Sequence, residues 1–226
     1  MSQPGTAPAL KEPPPDRALT YGLLVRPSQT QTNQRETFMR ASDLLLIGAV
    51  LATGGTPSQA AEYQIDPSHS FVQFKIQHLG YSWLQGRFDA VSGSLRYDAD
   101  KPSESAIEVT VDTGSINSNF AKRDEHLRSA DFLDAAKFPK AIFKSTGFKG
   151  DAKGGTLSGI LSLHGVEKPI QIEVTKVGEG KDPWGGYRAG FSGSYSMTRK
   201  DFGITHDLGP SAEVVQLEFG IEGIRQ

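Results

Sequence analysis

The stretch Phe71-Val72-Gln73-Phe74-Lys75-Ile76-Gln77-His78 decides the fold. Val72, Phe74, Ile76 and His78 alternate with Phe71, Gln73, Lys75 and Gln77, and a period of two is the signature of a strand with one face turned to a core. Working outward, the same period returns at Val91, Gly93, Leu95 and Tyr97, at Ile107, Val109 and Val111, and at Ala141, Phe143 and Ser145. It continues at Leu157, Gly159, Leu161 and Leu163, then Ile170, Ile172 and Val174, and closes with Phe191, Gly193, Tyr195 and Met197 and with Val215, Leu217, Phe219 and Ile221. These are eight strands with mostly short connections. His164-Gly165 makes a tight turn in which Gly165 is free to take a positive φ, and Gly178 to Gly186 makes a longer hairpin loop. One segment reads as helical, Phe120 to Leu133, with Lys122, Arg123, Asp124, Glu125 and Arg128 on an exposed side and Phe120, Leu127 and Leu133 as apolar positions. Ser129, two residues before Asp131, reads as the cap of a second short turn.

Eight sequential antiparallel strands form either a sandwich or a closed barrel. Short connections favour an up-and-down meander, and closure removes the edges that template aggregation. A barrel of this size has room for its own side chains or for one small ligand. Its inward set mixes Phe74, Phe143, Phe191 and Phe219 with Gly93, Ala141, Gly159 and Gly193. The small residues either leave lumen space or accommodate the large ones, and the pattern does not choose between the two.

The front of the chain is different. Residues 1–38 hold Pro4, Pro8, Pro13, Pro14, Pro15 and Pro27 without apolar periodicity, and are expected to be a disordered leader lying upstream of the true start at Met39 or preceding an internal signal. Residues 39–60 carry a basic start at Arg40, the apolar run Leu44 to Ala52, a polar stretch and small residues at Ser58 and Ala60, the order of a secretory signal peptide. Residues 61–226 are then the mature, exported domain.

Composition and motifs narrow the function. Among 226 residues the formal charge is -2, so the chain lacks the basic footprint of a nucleic-acid binder. No run approaches the ~18–20 apolar residues that span a bilayer as a helix. Cys is absent, which removes disulfides, thiol nucleophiles and Cys-ligated metals. The five His (His69, His78, His126, His164, His206) have no compact ligand spacing, although His69 and His78 could meet at one end of the barrel. Asp98 and Asp100 read as turn residues, and no nucleophile elbow, phosphate loop or inward carboxylate pair is present, so no catalytic residue, metal ligand or cofactor is assigned.

Several strings, in order, resemble the YceI-like family: Phe74 to Leu84 with Gly86 and Phe88, Arg123 to Leu133, Lys137-Phe138-Pro139, Asp182-Pro183-Trp184-Gly185-Gly186, Lys200 to Ile204, and Asp207-Leu208-Gly209-Pro210. The resemblance covers roughly Ala61 to Gly223. It implies an all-β, eight-stranded, lipocalin-like antiparallel barrel with one short helical insertion, exported to the periplasm. It implies a non-enzymatic protein that binds or shuttles a long-chain isoprenoid or similar fatty amphiphile, and it admits a homodimer. The alternatives are a hydrolase or isomerase on the same barrel, and a structural or stress-response barrel without a ligand. The implied apolar lumen consists of inward positions: Val72, Phe74 and Ile76, then Leu95 and Val109, Phe143, Leu161 and Leu163, Ile172, Phe191 and Tyr195, and Leu217 and Phe219. Lys122, Arg123 and Arg128 are candidates for a head group, although a capping role for the Arg123 to Leu133 block is the favoured reading.

Cleavage after Ala60 alone places small residues at both recognition positions. We expect the exported protein to begin at Ala61. Intact-mass analysis of the exported material tests this, and a species that retains Leu44 to Ala52 would rule it out.

Overall fold

The computed structural model describes residues 60–226. The segments read as leader and signal, 1–38 and 39–60, lie outside the described residues apart from Ala60. The described chain forms β1 (Ala61–Ile65), β2 (Phe71–His78), β3 (Ser82–Phe88), β4 (Val91–Tyr97), β5 (Ala106–Asp112), β6 (Ile116–Asn117), helix α1 (Ala121–Arg128), β7 (Lys140–Asp151), β8 (Gly154–Leu163), β9 (Val166–Lys181), β10 (Tyr187–Thr198) and β11 (Val214–Arg225).

All strand pairings are antiparallel, and the register resolves the segments into fewer, longer strands. β2 pairs β3 through Val72↔Phe88 and His78↔Ser82, while β1 pairs β4 through Ala61↔Tyr97. β1 with β2 is therefore one bent strand, and β3 with β4 is the next. β5 and β6 pair with β4 and β3 respectively and form a third. These three composite strands, followed by β7, β8, β9, β10 and β11, run as a meander, and β11 closes on both β1 and β2. The result is a closed eight-stranded antiparallel barrel with a single α-helix. Each periodic segment of the sequence falls on a different one of these strands. The alternation did not reveal β1, β3 and β6, which extend three of them.

Closure is fastened at the bend in the first strand. The Asp66 amide donates to the Glu222 carbonyl (2.8 Å), and the Glu222 amide donates to Ser70 Oγ (2.9 Å). Arg188 on β10 binds Asp66 Oδ2 (2.7 Å), Glu222 Oε1 (2.5 Å) and Asp182 Oδ2 (2.9 Å). One guanidinium thus joins the bend, the last two strands and the loop between β9 and β10. That loop spans only residues 182–186, because both strands run on through what reads in sequence as a Gly-rich loop. The Asp66 carboxyl is held far below the usual carboxylate range by hydrogen bonds from Ser68, then from Arg188 and His69. Asp182 is also lowered, chiefly by Arg188.

At the end carrying α1, residues 118–139 and 199–213 cover the barrel. α1 stops at Arg128, five residues short of the expected Leu133, and the chain continues in hydrogen-bonded turns. Ser129 Oγ accepts from the Asp131 amide there (3.3 Å). Phe120, expected as an apolar anchor, is the exposed N-cap, whereas Leu133 and Phe132 are buried. The second cover is organised by Arg199, which is 5% exposed and donates to the carbonyls of Ala212 (2.7 Å), His206 (3.1 Å) and Ile204 (3.4 Å). Burial lowers its pKa against the opposing pull of Glu213 and Asp207.

The inward glycines are not vacant space. A Cβ at Gly159 would lie 2.4 Å from Phe143 Cζ, at Gly193 2.6 Å from Phe219 Cε2, and at Gly86 2.3 Å from Phe74 Cζ. In each case a Phe ring on the adjacent strand lies over the glycine and against the wall. The two sequence readings of these residues therefore merge: the glycines accommodate large neighbours, and the rings, lying flat, keep the lumen wide.

Two outcomes are expected. Gly159→Leu collides with Phe143 and overpacks the wall, costing roughly 1–3 kcal/mol, or ~2–4 °C in melting temperature per kcal/mol for a domain of this size. An unchanged melt would show empty space beside Gly159. Arg188→Met removes a group that depresses two carboxyl pKa values. Such groups stabilise above their unfolded pKa, about 4, and lose that contribution as pH falls toward the folded value. The gap in melting temperature between wild type and Arg188→Met should be full at neutral pH and narrow below about pH 4. A gap independent of pH would place the role of Arg188 in packing.

Candidate functional site

Beneath the covered end the barrel is hollow, with a cavity of about 760 Å³. That lies within the ~300–1,000 Å³ typical of small-molecule sites. Both ends of β8, Gly154 and Leu163, line it. Ten residues at ~3.3 Å each, tilted about 40° to the barrel axis, give a slot roughly 25 Å long. It is elongated and apolar.

Every apolar lumen position implied by the resemblance lies on this wall, from Val72, Phe74 and Ile76 through Leu95, Val109, Phe143, Leu161, Leu163 and Ile172 to Phe191, Tyr195, Leu217 and Phe219. Parity alone did not reveal Leu84 and Phe88 on β3, Ile116 on β6, or Ile204 and Leu208 from the 199–213 cover. Leu84, Gly86 and Phe88 do alternate with Trp83, Gln85 and Arg87, so that strand carried a legible signal. The loop residues carried none, because no period applies to them.

The charged wall groups are segregated to the ends. At the α1 end stand Arg123, His126, Arg199 and Asp207. Of the three head-group candidates, only Arg123 reaches the cavity. Its Nε and Nη2 donate to Ser118 Oγ (2.7 Å) and the Ser118 carbonyl (2.6 Å). The buried Asp124 accepts from the Ser118 amide (2.8 Å) and pins the helix. Lys122 is exposed, and Arg128 sits in a separate shallow depression with Asp89 and Asn119. Both face away from the lumen because they project from other sides of α1. At the opposite end stand Lys176, Tyr97, Ser105 and Asp151. Lys176 continues the inward parity of Ile170, Ile172 and Val174. Its ammonium pairs with Glu179 (2.9 Å) and lies 5.2 Å from the centre of the Tyr97 ring. Burial would lower its pKa, but Glu179 and Tyr97 outweigh that and raise it. Although the Tyr97 hydroxyl is near enough to contribute, it falls short of full hydrogen-bond geometry with any partner.

The remaining titratable groups are arranged structurally. His69 Nδ1 lies 2.8 Å from Asp66 Oδ2 and His126 Nε2 lies 3.0 Å from Asp131 Oδ2, and both His side chains are more than half exposed. Ser68 Oγ approaches the same His69 nitrogen as Asp66 does (3.0 Å), whereas a relay requires the nucleophile on the other nitrogen. Ligand atoms of Asp66, His69 and Glu222 fall within 4.8 Å of one another, but the Arg188 guanidinium bridges the two carboxylates. His69 and His78 do not meet: β2 separates them by roughly 25 Å at ~3.3 Å per residue. Asp98 takes its expected turn role, accepting from the Asp100 amide (2.9 Å).

This geometry has counterparts among known proteins. A model of the YceI-like domain matches residues 63–223. A UPF0312 protein of Azotobacter vinelandii is 51% identical over 185 residues, covering 80% of this chain and 96% of the relative. A UPF0312 protein of Pseudomonas aeruginosa is 48% identical over 184 residues with the same coverage. Among solved structures, the Campylobacter jejuni YCEI protein is 28% identical (TM-score 0.59), over 67% of this chain and 90% of its own. Burkholderia cenocepacia BcnA (20%, TM-score 0.64) matches over 70% and 98%, and a polyisoprenoid binding domain from Saccharophagus degradans (18%, TM-score 0.57) over 74% and 100%. At those identities the last two speak for the fold. With the family model spanning nearly the whole barrel and relatives matched at about half identity, the chain belongs to the YceI-like family.

Proposed function

We propose that the protein is a non-enzymatic carrier that holds the tail of a long-chain isoprenoid or similar fatty amphiphile in the barrel lumen and acts in the periplasm. The observation that carries this reading is the continuous apolar slot. Each methylene transferred from water into such a wall gains ~0.8 kcal/mol, so a long tail is held tightly without any directional contact. The ring-over-glycine wall keeps the slot open along its length. The structural likeness to a domain described as polyisoprenoid binding supports the same ligand class. Charged groups confined to the two ends suit a ligand with one polar terminus and a featureless tail. The inward apolar residues act as the tail site, and Arg123 at one end and Lys176 at the other offer cations for a head group. The signal-like segment before Ala61 supports the compartment.

Organic extraction of protein purified without detergent, followed by mass spectrometry, tests the reading. The expected result is one dominant long-chain amphiphile at near-stoichiometric amount. Recovery of none would favour the ligand-free structural barrel. Binding of a neutral prenyl alcohol should also change little with salt, because dehydration drives it and only exposed charges are screened over ~8–10 Å. A several-fold loss of affinity at high salt would transfer the binding energy from the wall to the charged ends.

A further inference from the structure

The hairpin joining β2 to β3 is built at odds with its surroundings. Leu79 takes a positive φ of 52°, a conformation that costs a bulky residue energy. Yet its side chain is 58% exposed, so packing returns little of that cost. Tyr81 at the tip is 88% exposed, and Trp83 just beyond it 45%. Val214 at the start of β11 is also 45% exposed. The registers Val215↔Ile76 and Gln77↔Trp83 place Val214 and Trp83 on either side of Gln77 on the outer face. Among the described residues eight large apolar side chains are markedly exposed, and these are half of them. Leu79, with Leu208 and Gly209 across from it, also lines the cavity, so the cluster forms one lip of its opening.

We infer that this lip docks on the interface of a phospholipid bilayer and presents the cavity opening to the hydrocarbon. The inference rests on the carrier function proposed above. A tail leaving the lumen through water would lose ~0.8 kcal/mol per exposed methylene, and a mouth seated in the interface avoids that exposure. Tyr and Trp suit the site, since each has an apolar body and a polar tip and both concentrate at membrane–water boundaries. The Lys75 ammonium, 4.2 Å from the centre of the Trp83 ring, sits at headgroup level in this pose. A protein partner is a poorer fit, because a stable interface takes roughly 800 Å² and 20–30 residues a side and this lip offers four side chains. The rest of the outer wall is polar at Gln73, Gln85, Arg87 and Ser92, the reverse of a barrel that spans a bilayer, so contact is confined to the lip.

The experiment uses the full exported protein and phosphatidylcholine vesicles. The chain has two Trp, so Trp184→Phe leaves Trp83 as the sole reporter. Vesicles should shift Trp83 emission to the blue and brominated lipid should quench it. Replacing Leu79, Tyr81 and Trp83 together by Ser should lower co-sedimentation with vesicles at least about tenfold while leaving the melt unchanged, because all three are exposed. An unshifted Trp83, or co-sedimentation insensitive to the triple change, overturns the inference. So does a dimer in sedimentation velocity that the triple change dissolves, which would make a second copy the occupant of the lip. Extraction of the same preparations keeps the two readings apart. Bound lipid without vesicle docking sinks the docking alone, and vesicle docking by a protein that never carries lipid sinks the carrier function on which the inference rests.

Discussion

The hollow interior depends on one constraint: the last strand must pair with both halves of the first. β11 reaches β2 through Val215 to Gly220 and β1 through Gly223 to Arg225, and the chain bends between them. At that bend both backbone groups of Glu222 are satisfied by Asp66 and Ser70, and Arg188 gathers the carboxylates. Were the seam to part, two strand edges would face water and the inner wall would have nothing to enclose. Sealed, the ladder holds the wall in place around its whole circumference. The centre then has no need of side chains filling it from wall to wall.

Emptiness still has a cost, since a wall atom facing a void loses dispersion contacts. The fold limits that loss by packing wall residues into two clusters. At the α1 end Phe132, Leu133, Phe202 and Ile204 pack with Phe74, Met197 and Val215, and Tyr63, Ile65, Val91, Leu95 and Ile221 form a second cluster. Wall side chains thus pack against their neighbours around the barrel while the slot between the walls stays open. A ligand that fills the slot restores the missing contacts, and a molecule that binds only the folded state stabilises it by mass action.

How much of this was legible in the sequence follows from where a period applies. On the eight strands parity sorted the inward from the outward side chains, because a one-residue slip would have turned every apolar face to water. It missed β3, whose alternation is weakened by Gly86, and β1, a stretch of five residues. It had no purchase on the covers. Nothing in Arg199 marks it as the residue that gathers three carbonyls from its own loop, and the charges of Lys122, Arg123 and Arg128 do not tell which one turns inward. Phe–Gly cross-strand contacts were equally hidden, since they depend on register. Lys176 was legible by parity and was lost to the assumption that an inward residue must be apolar.

The separation of directional from non-directional groups bears on selectivity. Along the wall the energy comes from area removed from water, which scarcely distinguishes one branched or saturated tail from another. Charged groups, which do discriminate, line the wall near its ends, with Arg123 and His126 at one and Lys176 at the other. Those ends are a fixed strand length apart, and the segments packed over the α1 end resist extension there. An extended amphiphile in this slot is thus sorted by two quantities, its polar terminus and its length. A tail too short leaves wall unfilled and one polar end unmatched, whereas a tail too long must fold back or emerge beside Leu79. The barrel measures its occupant more than it recognises it.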